Sequence, residues 1–140
     1  MKPTIAVVED NPDNRMLLQA FLSDDYELTE YEDGVDALEG LKESVPDLVL
    51  LDISLPCIDG VEVLKRIRAD ARLRSLPVIA LTAHAMASDR ERLLKAGFDD
   101  YVSKPIVDEE ILRAAIQQGL ARLRKQEEMS TTLAFAAEKR

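Results

Sequence analysis

The chain has 140 residues, of which 46% are hydrophobic and 32% charged, and it carries a formal net charge of −9. This balance is typical of one soluble globular domain with a hydrophobic core, and it excludes a disordered chain. The negative charge argues against direct binding of nucleic acid, because phosphate binding requires a clustered basic surface. We expect a cytoplasmic protein, since no apolar run is long enough to span a membrane, no secretory signal is recognisable, and the single Cys57 cannot form an internal disulfide.

Five segments along the chain have the composition of β-strands. Four are short, mostly apolar runs, at residues 4–8, 48–51, 77–81 and 100–103, and the other, at residues 26–31, is more polar and alternates. Continuous apolar strands are buried on both faces, which predicts a parallel sheet between two helical layers. The polar strand suits an edge of that sheet.

Helical patterns lie between and after the strands. Apolar residues at helix spacing predict helices over residues 13–22, 35–42, 61–69, 88–96 and 107–125. The fourth helix begins with a capping box from Ser88 to Glu91 and is followed by Gly97, which suits a left-handed C-cap. The apolar side of the last helix is predicted to comprise Val107, Ile111, Leu112, Ala115, Ile116 and Leu120. Residues 126–140 are predicted to form a short, polar, mobile tail.

Alternating strands and helices predict five β-α units in a doubly wound open sheet, with a crevice at the carboxyl ends of its strands. The residues that carry chemistry follow those ends. Glu9 and Asp10 come after the first strand, Asp52 after the third, Thr82 after the fourth and Lys104 after the fifth. We therefore expect these side chains to converge in the crevice.

Three carboxylates in one crevice require an explanation, because two charges about 5 Å apart repel by roughly 3 kcal/mol at an effective dielectric of about 20. Either one carboxylate is protonated or a hard divalent cation lies among them, unless the acids merely cap loop and helix ends. Mg²⁺ is the better interpretation, because Lys104 and Thr82 add the cationic charge and the hydroxyl that a phosphoryl group needs. Asp52 is then the natural nucleophile, and it would form an aspartyl phosphate.

The segments around these residues resemble the signature segments of response-regulator receiver domains, in family order. They are Val8–Asn11, Leu51–Pro56, Asp59–Gly60, Leu81–Ala83 and Ser103–Pro105. The resemblance extends over residues 3–121 and implies a flavodoxin-like, five-stranded parallel sheet of order 2-1-3-4-5 with five helices. It implies a receiver domain at residues 1–121, followed at 122–140 by the end of the last helix and the tail.

The resemblance also implies a role for each matching residue. Asp52 would accept a phosphoryl group from a phosphohistidine donor, and Thr82 and Lys104 would contact that group. The implied Mg²⁺ ligands are Glu9, Asp10, Asp52 and the Ser54 backbone carbonyl. Tyr101 matches the family's switch aromatic, which turns inward as Thr82 moves toward the phosphate.

Some further implications concern single positions. The Lys104–Pro105 bond matches one that is usually cis in the family. Ile58 stands where methionine is frequent, and Glu9 replaces a frequent aspartate. Ser54 and His84 occupy positions that vary and tune dephosphorylation. His84 is the single histidine, and with no partner ligand a loop residue over the crevice is the simpler interpretation than a phosphocarrier or a metal ligand.

The function that the resemblance implies is that of a single-domain response regulator, which is a phosphoacceptor signalling domain and not an enzyme beyond its own phosphorylation and dephosphorylation. Its partners would be a sensor histidine kinase or a histidine phosphotransfer protein, and a downstream protein. A homodimer would use the face of the fourth helix, fifth strand and fifth helix. The alternative is a receiver of a hybrid kinase or multistep phosphorelay, which the segment Thr82–Met86 also resembles.

Three other functions fit less well. An aspartyl-phosphate hydrolase of the haloacid-dehalogenase kind has a second aspartate two residues after the nucleophile, where this chain has Ser54. A flavin-binding module on this sheet would have its phosphate repelled by Glu9 and Asp10. A degenerate receiver that binds partners without phosphate would not require the full set of acids, hydroxyl and lysine.

Overall fold

The computed structural model of the chain describes residues 2–83 and 87–138, without the side chains of residues 87–88 and 124–138. His84 and the end of the segment Thr82–Met86 therefore lie outside the described residues. None of the helices in the described ranges combines the length and apolar composition that a membrane span requires.

Five parallel strands form one sheet in the described part of the chain, in the order β2-β1-β3-β4-β5. The strands are β1 (Thr4–Val8), β2 (Glu27–Tyr31), β3 (Leu48–Asp52), β4 (Val78–Thr82) and β5 (Asp100–Ser103). In register, Val8 pairs with Tyr31 and Leu51, and Thr82 pairs with Ser103. The carboxyl ends of the strands therefore lie side by side, and the predicted strand order is confirmed.

The helices cover both faces of the sheet. They are α1 (Pro12–Leu22), α2 (Gly34–Glu43), α3 (Gly60–Ala69), α4 (Ala87–Ala96) and α5 (Glu109–Glu138). Alternating residues of β1 show the two layers: Ile5 and Val7 pack with α1 and α5, whereas Ala6 and Val8 pack with α2, α3 and α4. Every residue of β3 and β4 is buried, whereas β2 is largely exposed, as predicted for an edge strand.

Three of the loops that follow strand ends also start a helix with a side-chain cap. Asn11, Asp33 and Asp59 each accept a hydrogen bond from a backbone N–H of the first turn of α1, α2 or α3, at 2.8, 2.8 and 2.9 Å. Such caps satisfy N–H groups that have no partner within the helix. The turns at the carboxyl edge of the sheet are therefore held in place by local hydrogen bonds.

The helix ends differ from the sequence prediction at α4 and α5. Helix α4 begins at Ala87, so Ser88 lies within the first turn instead of at the cap, and its side chain is outside the described residues. Gly97 has a φ of 114°, which confirms the left-handed C-cap. The predicted end of α5 at Lys125 is wrong, because the helix continues to Glu138. Residues 126–138 contain good helix formers and no glycine or proline, so nothing local ends the helix.

The predicted apolar side of α5 is only partly correct. Leu112, Ala115 and Ile116 are buried as expected. Val107 and Ile111, however, are 86% and 58% exposed. Val107 precedes the helix, and Ile111 lies about 100° around the axis from Leu112, which faces the sheet.

Candidate functional site

The carboxyl edge of the sheet brings together four of the residues predicted from the sequence. Glu9 directly follows β1, Asp52 ends β3, Thr82 ends β4, and Lys104 directly follows β5. Glu9, Asp52 and Thr82 are only 0%, 2% and 4% exposed, and they are the buried polar or charged residues of the described chain. Burial of a charged side chain is costly unless it is paired, so the two buried carboxylates need cationic or hydrogen-bonding partners.

Lys104 connects two of the buried carboxylates. Its Nζ lies 3.0 Å from Glu9 Oε1 and 3.1 Å from Asp52 Oδ2. The backbone N–H of Lys104 donates to the Thr82 carbonyl at 2.8 Å, which joins the ends of β4 and β5. The Lys104–Pro105 bond is cis, as the resemblance implied.

A third carboxylate completes an acidic cluster. Carboxylate oxygens of Glu9, Asp10 and Asp52 lie within 4.8 Å of one another, and Asp10 is exposed. Ser54 lies beside this cluster, since its N–H donates to Asp52 Oδ1 at 3.0 Å. Three converging carboxylates against one ammonium leave an excess of negative charge. Hard oxygen donors with one side open to solvent fit Mg²⁺, which retains several water ligands.

The protonation of the cluster follows from its burial. Burial, with the neighbouring Asp52 carboxylate, raises the pKa of Glu9 from 4.5 to about 7, although Asn14 and Lys104 oppose the shift. Burial alone would raise the pKa of Asp52 too, but hydrogen bonds from Glu9, the Ser54 N–H and Lys104 outweigh it and lower that pKa. Without a metal, Glu9 is therefore the carboxyl whose pKa lies near neutral pH, so that it is protonated in acid and loses its proton around pH 7, whereas Asp52 is ionised there.

The loop after β3 holds Asp52 in place. A Cβ on Gly60 would lie 2.3 Å from the Asp52 carbonyl oxygen, so only glycine fits between α3 and the end of β3. The Gly60 N–H donates to the Ile53 carbonyl at 3.0 Å and closes the loop. Cys57, at the tip of this loop, is exposed and has a φ of 67°.

Two residues of α1 that were not predicted from the sequence also contact the site. Asn14 Nδ2 donates to Glu9 Oε1, and Arg15 donates to the Glu9 backbone carbonyl at 2.7 Å. Arg15 also lies 3.9 and 3.6 Å from the carboxylates of Glu30 and Glu32. The sequence contained a signal for these contacts, because Asn14 and Arg15 are polar residues in the first turns of α1 and closely follow the Glu9-Asp10 pair.

Tyr101 lies on β5, beside Ala80 of β4 in the sheet register. The ring is partly buried against the core under α4, with the Arg90 Cζ 5.9 Å from its centroid. The inward turn of Tyr101 as Thr82 moves toward the phosphate stays a prediction.

A doubly wound parallel sheet whose carboxyl edge carries an acidic pocket, a buried hydroxyl and a bridging lysine defines a class of protein, the phosphate-accepting signalling domains. The chain belongs to the response regulator receiver domain family, whose model matches residues 5–117. Receiver domains accept a phosphoryl group, bind Mg²⁺ at an acidic pocket, and interact with histidine kinases or phosphotransfer proteins.

The matching relatives include a protein of similar length and a much longer one. It is 42% identical over 107 residues to the polar-differentiation response regulator DivK of Brucella ovis, a match that covers 76% of this chain and 87% of DivK. It is 39% identical over 124 residues to the sensor protein GacS of Pseudomonas syringae pv. syringae, a match that covers 85% of this chain and 14% of GacS. The chain therefore spans most of one curated relative and a small part of the other.

A solved structure confirms the fold. The receiver domain of the sensor histidine kinase PA1611 from Pseudomonas aeruginosa PAO1 matches with a TM-score of 0.79 and 36% identity, over 86% of this chain and 99% of that one. That receiver domain has a magnesium ion coordinated in its active-site cleft.

Proposed function

We propose that this chain is a single-domain response regulator that accepts a phosphoryl group from a phosphohistidine donor onto Asp52, in a reaction that requires Mg²⁺. The observation that carries this proposal is that Lys104 bridges the buried carboxylates of Glu9 and Asp52 at the sheet edge, with its Nζ 3.0 and 3.1 Å from them. A buried arrangement of this kind is ready to bind a metal and a phosphoryl group together.

Asp52 is the nucleophile in this proposal. Its two oxygens are held by the Ser54 N–H and the Lys104 ammonium, and its lowered pKa keeps it ionised near neutral pH. One carboxylate oxygen forms the bond to phosphorus while the phosphorus–nitrogen bond of the donor histidine breaks. The imidazole leaves with the bonding electron pair, and the product is an aspartyl phosphate.

Mg²⁺ would be held by Glu9, Asp10, Asp52 and the Ser54 backbone carbonyl, and it would neutralise charge on the transferred group. Glu9 must lose its proton to act as a ligand. Thr82 and Lys104 would contact phosphoryl oxygens, so Lys104 would exchange a carboxylate partner for the phosphoryl group.

The response would reach a downstream protein through α4, β5 and α5, with Tyr101 as the switch. This face has a groove of about 370 Å³ beside β5, and Tyr101, Val107 and Ile111 are among its lining residues. The exposure of Val107 and Ile111 supports a docking role, because apolar side chains on a surface favour contact with a partner. A second copy of the chain could use the same face.

A phosphorelay receiver that passes its phosphoryl group to a histidine phosphotransfer protein is the second candidate. The similarity to GacS and to the receiver of PA1611, a sensor histidine kinase, favours it. Incubation of the phosphorylated chain with a phosphotransfer protein separates the two candidates. Rapid transfer of phosphate to histidine supports the relay, and retention of phosphate on Asp52 supports the single-domain regulator.

Intact-mass measurement after incubation with acetyl phosphate tests the shared chemistry. We expect one phosphoryl adduct on the wild type with Mg²⁺, and none with chelator or in Asp52→Ala. Asp36→Asn, which changes an exposed carboxylate on α2, is the matched control and should be phosphorylated like the wild type. An adduct that persists in Asp52→Ala would refute the assignment of the phosphoacceptor.

A further inference from the structure

Three donors from other residues hold Glu9 in place. Asn14 Nδ2 and Lys104 Nζ both donate to its Oε1, while Arg15 holds its backbone carbonyl. The side chain itself is fully buried. Two of these donors are cationic, and Asn14 is a neutral amide.

We propose that Asn14 is a positioning residue for the divalent cation, which keeps the Glu9 carboxylate turned toward Asp10 and Asp52. This inference rests on the proposed metal-dependent function of the site. Asn14 would not touch the metal, and it would act through the Glu9 oxygen that it contacts.

The charges around Glu9 favour a neutral donor as its positioning residue. Lys104 lies between Glu9 and Asp52, so Mg²⁺ bound to the same carboxylates would repel its ammonium. A phosphoryl group on Asp52 would also attract the ammonium away from the carboxylates. Asn14 carries no charge and can keep its hydrogen bond when Mg²⁺ binds. It is therefore the donor that can orient Glu9 in both the metal-free and the metal-bound protein.

The length of the Glu9 side chain also favours a positioning residue. A glutamate has one more rotatable bond than an aspartate and loses more side-chain entropy when it is fixed. A hydrogen bond to the carboxylate reduces that loss on metal binding, because the orientation already exists. Groups that orient a metal ligand in this way typically contribute about 10- to 100-fold to affinity.

A purely structural role for Asn14 makes a different prediction. If the amide only satisfied a buried carboxyl, its removal would lower the stability of the metal-free protein and leave the Mg²⁺ affinity of the folded protein unchanged. Affinity and stability therefore separate the two roles.

Calorimetric titration of Mg²⁺ into a set of variants of the full chain tests the proposal. We expect Asn14→Ala to raise the Kd by about 10-fold. The matched control is Gln19→Ala, which removes another amide of α1 that donates to a carboxylate other than Glu9, that of Glu30 at 2.7 Å. Its Kd should equal that of the wild type, and thermal unfolding in chelator should record the stability of each variant.

A double-mutant cycle tests whether Asn14 affects Mg²⁺ binding through Glu9. In a Glu9→Asp background the shorter carboxylate no longer reaches the amide, so Asn14→Ala should change the Kd by less than about 2-fold. An equal loss in both backgrounds, or an unchanged Kd in Asn14→Ala alone, overturns the proposal.

Two further readouts distinguish a failure of this inference from a failure of the proposed function. In wild type, the Asn14 side-chain amide resonance should shift during the Mg²⁺ titration with the midpoint of binding, and a resonance that stays in place overturns the inference without any variant. A wild type that takes up phosphate with Mg²⁺ while Asn14→Ala binds Mg²⁺ normally leaves the proposed function intact. A wild type that binds no Mg²⁺ overturns both.

Discussion

The proton on Glu9 makes the stability of the metal-free protein fall as the pH rises. The pKa of Glu9 is raised from 4.5 to about 7 in the folded protein, so the folded state binds this proton more tightly than the unfolded state. The stabilisation that this group gives is complete below about pH 4.5 and is lost as the pH passes through about 7. Mg²⁺ needs the ionised form, so it should act in the opposite direction.

The magnitude follows from the size of the shift. The difference between a pKa of 4.5 and one of about 7 corresponds to at most about 3.5 kcal/mol, since each pKa unit is worth about 1.4 kcal/mol. Solvent screening takes little from this value, because Glu9 is 0% exposed. The other shifted groups of the cluster titrate elsewhere: the pKa of Asp52 is lowered and that of Lys104 is raised above 10.5.

Urea unfolding between about pH 5 and pH 8 measures this effect, with chelator and with millimolar Mg²⁺. Glu9→Gln is the matched variant, because it keeps a neutral side chain of the same length. In chelator, the free energy of unfolding of the wild type should fall across this range relative to that of Glu9→Gln. The stabilisation by Mg²⁺ should grow with pH in the wild type. Equal pH profiles for the two proteins in chelator would refute the assignment of the proton to Glu9.

Two other changes have defined outcomes. Lys104→Met removes the ammonium that Glu9 and Asp52 share. We expect it to lower the free energy of unfolding in chelator by about 3 kcal/mol, and we expect Mg²⁺ to restore part of that loss. An unchanged free energy of urea unfolding would contradict the bridge. Leu112→Ala should cost about 2–5 kcal/mol because Leu112 is 0% exposed, whereas Ile111→Ala, at 58% exposure, should cost much less. Equal losses for this neighbouring pair would mean that α5 packs on a different face.

Much of the fold could be predicted from the sequence for a simple reason. Strands such as 48–52 and 78–82 are buried on both faces, so they are short apolar runs whose ends are marked by polar residues. The approach of Glu9, Asp52 and Lys104 was equally predictable, because carboxyl ends of parallel strands meet at one edge.

The faces and ends of helices were less predictable. Ile111 and Leu112 have similarly hydrophobic side chains, and only the packing of α5 on the sheet decides which of them is buried. The end of α5 lies beyond the predicted Lys125 because residues 126–138 contain no glycine or proline that would stop the helix before Glu138.

The order of residues along the chain was enough to predict which groups could meet: an acidic pair, an aspartate, a hydroxyl and a lysine at four strand ends. How these groups interact depends on the folded structure. It placed Lys104 between two carboxylates, brought Asn14 onto Glu9, and raised the pKa of Glu9 while it lowered that of Asp52. The physical reason is that hydrogen-bond partners and desolvation depend on which groups surround a side chain, and distant segments of the chain supply those groups only after folding.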